Sequence, residues 1–215
     1  MQRADIHLLI ADDHPILLQG LKDAMNRHEY THVIAVENGA LALDYIKMEQ
    51  PHIAILDIEM PLLNGFEVIK KSQELGTPTR FIILTSHKEK GFVLQARKLN
   101  ISGYILKDEP FDEIDKCIHA VSENKTYFSS VFDAVFEGEV TPQLQKIKLL
   151  SPSERTILRL IAQEKNSGKI SELLTISIRT VQKHRSNIIT KLELPTGVDS
   201  LSLWSQENQE LILSL

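Results

Sequence analysis

The chain has 215 residues, of which 42% are hydrophobic and 25% charged, enough for two small domains that each bury a core. No segment approaches the roughly 18 uninterrupted apolar residues that a membrane span requires, so the sequence predicts a soluble cytoplasmic protein without a membrane partner. The single cysteine, Cys117, excludes an internal disulfide and, on a helical apolar spacing, fits a buried thiol better than a reactive one. The net charge of -5 divides into -7 for residues 1–147 and +2 for residues 148–215.

Short apolar runs alternate with helix-like segments from the start of the chain to residue 122. The runs are IHLLIA, THVIAV, HIAILDI, RFIILTS and SGYILK, and each is followed by a segment with helical spacing, such as PILLQGLKDAMN. Continuous apolar strands such as IAIL suit burial on both faces of a sheet. The pattern therefore predicts an α/β domain in which helices cover a doubly wound, five-stranded parallel sheet.

Acidic, hydroxyl and basic side chains follow four of these five runs. Asp12 and Asp13 follow the first run, Asp57 the third, Thr85 the fourth and Lys107 the fifth. In a doubly wound sheet the carboxyl ends of the strands border one crevice, so these side chains are expected to meet there. Taken singly, each also fits an ordinary role in helix capping, at a strand end or at the surface.

Together these residues suit direct phosphorylation of a carboxylate. That reaction needs a metal ion to screen the phosphoryl oxygens and a cation to neutralise the charge that builds on them. Asp57 is the candidate acceptor, and Asp12 and Asp13 are hard oxygen ligands for Mg²⁺. Lys107 and Thr85 could hold the transferred phosphoryl group.

The segments DDHP, LDIEMPLLNGFE, LTSH and GYILK resemble the receiver domain of bacterial two-component response regulators, over residues 6 to about 122. The resemblance implies a flavodoxin-like fold with Asp57 as the phosphoacceptor. It also implies that Mg²⁺ is bound by Asp12, Asp13, Asp57 and the backbone carbonyl of Glu59. Such a domain accepts a phosphoryl group and has at most autophosphorylation and autodephosphorylation activity, so it is not a turnover enzyme.

The same resemblance implies a switch and two residues that set the lifetime of the phosphoryl group. Thr85, Lys107 and Tyr104 match the switch positions, at which the aromatic side chain follows the threonine inward on phosphorylation. Tyr104 also fits an ordinary aromatic residue at a strand edge. Glu59 and His87, each two residues after a site residue, are expected to influence attack of water on the aspartyl phosphate.

Beyond residue 123 the strand alternation stops. Residues 124–147 are predicted to form a linker with a short helix, and residues 148–215 a small all-helical domain. Ser151-Pro152-Ser153-Glu154 has the composition of a helix start. Two helices separated by the break TIS follow, and then a last amphipathic segment around Val198 to Trp204. The second of the two helices, within residues 178–192, has four basic residues and no acidic one, which predicts a helix-turn-helix that faces phosphate.

The segments LSPSERTILRLIAQE, ISELLTIS and RTVQKHRSNIITKL resemble the LuxR-type DNA-binding domain, and a receiver followed by this domain is the NarL/FixJ arrangement. In the second helix, the helical spacing of the apolar residues leaves seven others available for DNA: Arg179, Thr180, Gln182, Lys183, Arg185, Ser186 and Lys191. Gln182, Lys183 and Ser186 are the candidates for reading base edges, and the others for contacting phosphates. Lys165 and Gly168 depart from the family pattern, and glycine costs about 1 kcal/mol of helix preference relative to alanine.

The predicted function is that of a response regulator that a sensor histidine kinase phosphorylates on Asp57 and that binds promoter DNA to regulate transcription, as a homodimer when active. One alternative is a receiver-like transcription factor that is regulated without phosphorylation. Another is a phosphohydrolase that uses an aspartate as its nucleophile. It is disfavoured because phosphohydrolases of this kind have the nucleophile after the first strand, whereas Asp57 follows the third apolar run. Leu201, Leu203, Trp204 and the terminal LILSL fit the core of the helical domain better than a two-fold contact, although both remain open.

Overall fold

The structure, a computed structural model, describes residues 2–195 and 199–214. The chain divides into two compact units, Met1–Val135 and Phe136–Leu215. The predicted linker, residues 124–147, contributes to both units. Within the described ranges, no helix combines the length and the apolar character needed to cross a membrane.

The first unit alternates strands and helices, and all five predicted strand–helix pairs are confirmed. After a short 3-10 helix, Arg3–Asp5, its elements in chain order are β1 (His7–Ala11), α1 (Pro15–Arg27), β2 (His32–Val36), α2 (Gly39–Glu49), β3 (Ile53–Leu56), α3 (Gly65–Glu74), β4 (Arg80–Thr85), α4 (Lys90–Lys98), β5 (Gly103–Leu106), α5 (Phe111–Ser122), β6 (Tyr127–Phe128) and α6 (Ser130–Val135).

In the part of the chain that the structure describes, these strands form one parallel sheet in the order β2-β1-β3-β4-β5-β6. The chain moves outward from β1 to β2 and then crosses to β3 on the other side of β1. The carboxyl ends of β1 and β3 therefore border the crevice at which doubly wound sheets bind ligands. The parallel, doubly wound fold is confirmed, whereas the predicted count of five strands lacked β6, which has only two residues and follows the last regular repeat.

The core lies around the central strands. All four residues of β3 are buried, and because successive side chains of a strand point to opposite faces, both faces of the sheet are covered there. On one face, apolar side chains of α1 and α5 join the strands in a single cluster. Cys117 of α5 belongs to this cluster, and burial raises the pKa of its thiol, so its prediction as a buried structural residue is confirmed.

The start of α3 fixes the loop that follows β3. Asn64 caps the helix by accepting a hydrogen bond from the Glu67 backbone N–H at 2.9 Å, and the Glu67 carboxylate accepts one from the Asn64 N–H at 2.9 Å. The next residue, Gly65, donates its N–H to the Ile58 carbonyl at 2.9 Å. A Cβ atom on Gly65 would lie 2.2 Å from the carbonyl oxygen of Asp57, so only glycine allows this approach.

The second unit is helical. It begins with a π-helix, Phe136–Val140, and continues with α7 (Thr141–Lys148), α8 (Pro152–Ala162), α9 (Ser167–Leu174), α10 (Ile178–Lys191), α11 (Ser200–Glu207) and α12 (Gln209–Ser214). The predicted helix start at Ser151 is confirmed, because its side chain and that of Glu154 form a reciprocal capping box. Gly168 stands in the first turn of α9, where Asn166 caps the helix.

The apolar end of the chain contributes to the core of this unit. Leu201, Leu211 and Ile212 are buried, which agrees with the core interpretation, whereas Leu203 is 57% exposed. Val198, at which the last amphipathic segment was expected to begin, lies outside the described residues. The terminal residues form a separate helix, α12, which the sequence pattern did not predict.

Replacing Gly65 by alanine should destabilise the first unit by about 1–3 kcal/mol, because the added methyl group overlaps a backbone carbonyl that cannot rotate away. Gly20→Ala is the matched control: Gly20 lies exposed in α1 with nothing near its would-be Cβ, and alanine there should stabilise by up to about 1 kcal/mol. Urea denaturation monitored by circular dichroism measures both changes. Equal unfolding free energies for the two variants would contradict the steric argument.

Candidate functional site

Two buried aspartates and a lysine meet at the carboxyl ends of β1, β3 and β5. Lys107 Nζ lies 2.7 Å from Asp12 Oδ2 and 2.9 Å from Asp57 Oδ2, and both carboxylates are at least 95% buried. The strand ladder continues beyond the strand ends and fixes their backbones, since the Asp57 N–H donates to the Ala11 carbonyl at 2.9 Å and the Lys107 N–H to the Thr85 carbonyl at 2.8 Å. The sheet register therefore sets the geometry of the three charges.

Burial and the contacts between these side chains shift the pKa values of Asp57 and Lys107. Desolvation raises the pKa of Asp57, the neighbouring Asp12 charge adds to the rise, and Lys107 and the Ile58 N–H oppose it without cancelling it. Burial alone would lower the pKa of Lys107, but its hydrogen bonds to the two carboxylates raise it. The lysine is thus a firmly protonated cation, and one positive charge stands between two buried carboxylates.

A further acidic residue makes this crevice suitable for a divalent cation. Ligand atoms of Asp12, Asp13, His14 and Asp57 all lie within 4.8 Å of one another. His14 Nδ1 lies 2.9 Å from Asp13 Oδ1 and 3.1 Å from Asp12 Oδ1, so its ring supports the acidic loop. Three carboxylates with a surplus of negative charge form the oxygen-rich donor set that Mg²⁺ prefers, so these residues fit the predicted ion.

The predicted switch residues are connected through the loop after β4. Thr85 is fully buried, and its Oγ1 accepts a hydrogen bond from the His87 backbone N–H at 3.2 Å. The Tyr104 hydroxyl donates to the His87 carbonyl at 2.8 Å, and its ring is almost fully buried. Tyr104 and Thr85 thus contact the same residue, His87, and the switch role of Tyr104 stays a prediction.

The two residues expected to influence the phosphoryl lifetime contact each other. His87 Nε2 lies 3.1 Å from Glu59 Oε1, and its Nδ1 lies 3.3 Å from Glu89 Oε2. The His87 ring also stacks on Phe92 of α4, with 4.2 Å between centroids. Glu59 and Asp13 also line an open cleft of about 540 Å³. The effect of Glu59 and His87 on hydrolysis stays a prediction.

In the second unit, α9 and α10 form the predicted helix pair. Thr175 adopts a left-handed conformation with φ of 54°, and Ser177 caps α10 by accepting the Thr180 N–H at 3.1 Å. Val181, Ile188 and Leu192 face the core and are fully buried. Five of the seven predicted DNA-contacting residues of α10 are exposed: Arg179, Gln182, Lys183, Ser186 and Lys191.

Both parts of the chain match known families. Residues 8–119 match the response regulator receiver domain, and residues 148–203 match the bacterial regulatory proteins of the luxR family. The transcriptional regulatory protein DesR of Bacillus subtilis (strain 168) is 30% identical over 92% of this chain and 95% of its own length. The chain belongs to the NarL/FixJ family of response regulators.

Solved structures of related regulators have the same architecture. RcsB from Salmonella enterica serovar Typhimurium, bound to a promoter in the presence of the phosphomimetic BeF₃⁻, has a TM-score of 0.62 and 25% identity, covering 94% of this chain and 98% of that chain. A structure of two RcsB dimers bound to two parallel DNAs has a TM-score of 0.62 and 26% identity, with the same coverage. This response regulator thus combines a receiver domain with a LuxR-type DNA-binding domain.

Three of the seven predicted DNA-contacting residues are half-buried or have a side-chain partner within the same domain. Arg185 is half-buried, desolvation lowers its pKa, and its Nη2 lies 3.4 Å from Ser202 Oγ. Lys191 Nζ lies 2.7 Å from a carboxylate oxygen of Glu154, a buried residue of α8. Thr180 is also half-buried, and its hydroxyl lies 2.9 Å from that of Ser177. Sequence reasoning missed the partners of Arg185 and Lys191 because they lie 17 and 37 residues away.

The Glu154 carboxylate contacts both the start of α8 and the end of α10. It completes the capping box of α8 by accepting the Ser151 N–H at 2.8 Å, and it pairs with Lys191 at the end of α10. Burial alone would raise the pKa of Glu154, but Lys191 and Ser151 outweigh it and lower the pKa to about 2. This ion pair ties α10 to α8.

The pH dependence of stability tests this pairing. Because the folded pKa of Glu154 is depressed from 4.5 to about 2, its contribution is fully present above pH 4.5 and is lost as the pH falls toward 2. Glu154→Gln should cost about 1 kcal/mol at pH 7 and should flatten the acid limb of the stability curve. Fluorescence of Trp204, the only tryptophan of the sequence, follows unfolding of this domain alone.

Glu172→Gln is the matched control, because Glu172 is exposed and forms its ion pair with Lys169, one turn away on the same helix. Its acid limb should follow that of the unsubstituted protein. An unchanged acid limb in Glu154→Gln would show that the Glu154–Lys191 pair contributes nothing to the stability of the domain.

Proposed function

We propose that this response regulator is a phosphorylation-dependent transcription regulator, in which a sensor histidine kinase phosphorylates Asp57. The observation that carries the proposal is the position of Asp57, a buried carboxylate at the end of β3 that shares Lys107 with Asp12. In this proposal residues 1–123 are the receiver, residues 124–147 the linker and residues 148–215 the DNA-binding domain.

The residues of the crevice divide the chemistry among them. A carboxylate oxygen of Asp57 forms a bond to phosphorus as the bond between phosphorus and the donor breaks. Lys107 neutralises charge on the phosphoryl oxygens, and the Thr85 hydroxyl donates a hydrogen bond to one of them. Asp12, Asp13, Asp57 and the Glu59 carbonyl would hold Mg²⁺, which supplies screening of the phosphoryl oxygens when bound.

In the DNA-binding domain, α10 is the proposed recognition helix. Gln182, Lys183 and Ser186 would read base edges in the major groove, and Arg179 would contact phosphate. The half-buried Arg185 and Thr180 and the paired Lys191 would contribute to DNA binding mainly by positioning α10, with phosphate contacts as a second role. The similarity to promoter-bound and dimeric RcsB supports promoter DNA as the ligand and a homodimer as the active form.

Phosphorylation is tested by intact mass after incubation with phosphoramidate and Mg²⁺. The unsubstituted protein should gain one phosphoryl group, and the gain should require Mg²⁺ and disappear in Asp57→Asn. Asp44→Asn, which alters an exposed aspartate of α2, is the matched control and should be phosphorylated normally. An adduct that survives in Asp57→Asn would mean that another residue is the acceptor, whereas an adduct that never forms with any donor would favour a regulator that works without phosphorylation.

DNA contacts are tested on a site selected from a random duplex library. Arg179→Ala should weaken binding to all sequences and reduce the slope of log affinity against log salt by about 0.9, the value for one lost phosphate contact. Gln182→Ala should instead relax base preference at one position, at a cost of about 1–3 kcal/mol. Lys70→Ala removes an exposed lysine of α3 in the receiver and is the control for net charge. Equal losses in Lys70→Ala and Arg179→Ala would mean that α10 is not the DNA-contacting helix.

A further inference from the structure

The beginning of the predicted linker packs on the receiver instead of leaving it. Strand β6 pairs with β5, with Tyr127 opposite Gly103 and Phe128 opposite Tyr104. The Ser129 N–H then donates to the Tyr104 carbonyl at 3.0 Å. The Tyr127 hydroxyl donates to the Glu113 carboxylate of α5, so that both β5 and α5 anchor this segment.

An aromatic residue of α6 covers the switch tyrosine directly. Phe132 is 2% exposed, and its ring centroid lies 4.9 Å from that of Tyr104 and 4.7 Å from that of Phe128. The Arg97 guanidinium of α4 lies 4.5 Å from the Phe128 centroid and 5.3 Å from the Phe132 centroid. It also lies 3.8 Å from Asp133, the residue that follows Phe132. The guanidinium thus fastens α6 to α4 across the aromatic pair.

These contacts form a continuous line to the phosphoacceptor crevice. Phe132 contacts the ring of Tyr104, the Tyr104 hydroxyl holds the His87 carbonyl, and the His87 N–H holds Thr85 Oγ1. Tyr104 is 1% exposed, so its ring cannot move outward unless Phe132 moves first. Each of these contacts joins neighbouring groups within the first unit.

We propose that Phe132 is a positioning residue for the receiver switch: by holding Tyr104 inward, the segment Tyr127–Val135 stabilises the loop geometry that Asp57 needs to become phosphorylated. This inference rests on the proposed function. Docking of the segment and phosphorylation of Asp57 then favour the same conformation, and each strengthens the other by the same factor. The linker is consequently part of the acceptor mechanism as well as a tether.

The direction of the effect follows from preorganisation. If the ring of Phe132 is lost, Tyr104 samples outward conformations, and the fraction of molecules with a competent loop after β4 decreases. The apparent rate of phosphorylation falls in proportion to that fraction. Loss of the stabilisation that one aromatic pair provides predicts a phosphorylation rate about two- to tenfold slower in Phe132→Ala.

The experiment uses the full chain with phosphoramidate and Mg²⁺ and measures the initial rate of adduct formation by intact mass. A second measurement records hydrogen–deuterium exchange of the amides of residues 127–135, with and without beryllofluoride and Mg²⁺. Phe132→Leu keeps an apolar side chain in the same space and serves if Phe132→Ala fails to fold. Ser130→Ala, an exposed position of the same helix, is the matched control.

We expect slower phosphorylation in Phe132→Ala, an intermediate rate in Phe132→Leu and an unchanged rate in Ser130→Ala. Beryllofluoride should increase amide protection in residues 127–135 of the unsubstituted protein and should not do so in Phe132→Ala. Normal phosphorylation together with normal beryllofluoride protection in folded Phe132 variants would overturn the inference and leave the proposed function intact. If the unsubstituted protein itself forms no adduct, the proposed function fails, and the inference fails with it.

Discussion

The shared ion pair of Lys107 with Asp12 and Asp57 is the interaction on which the receiver depends. Two carboxylates buried side by side repel each other and lose hydration, and the lysine ammonium between them offsets part of that cost. The three residues come from three strands, so the pairing also requires the strands to hold a fixed register. Any change in the charge of these residues therefore acts on the carboxyl ends of β1, β3 and β5.

Hydrogen-bonded loops on both sides of the crevice connect such a charge change to the rest of the receiver. On one side the Asn64 capping box and the glycine after it hold the loop that follows β3. On the other side Thr85, His87 and Tyr104 are joined by hydrogen bonds. A local electrostatic event can only be transmitted through packed elements with two discrete arrangements, and the loop after β4 is the element that both Tyr104 and the acceptor crevice contact.

Sequence patterns were sufficient for the fold because each βα unit has its own local signal. Apolar runs marked every long strand, and residue type at the strand ends identified the acidic pair, the acceptor and the lysine. The pattern failed where structure depends on distant partners. Strand β6 has two residues and no alternation, and it exists because β5 offers an unpaired edge. Likewise, helical spacing places Lys191 at the surface but does not indicate its ion pair with Glu154, which lies 37 residues earlier.

Strand β6 also bears on where the receiver can be divided from the rest of the chain. Beyond β5 the sheet would end in a row of open backbone N–H and C=O groups, which readily recruit a strand from another molecule. Tyr127 and Phe128 occupy that row, and Phe132 shields the apolar ring next to it. A fragment that ends at residue 123 would expose this edge of the sheet to pairing with other molecules. A fragment that ends after Val135 would keep the edge covered by β6 and would be protected from this kind of aggregation.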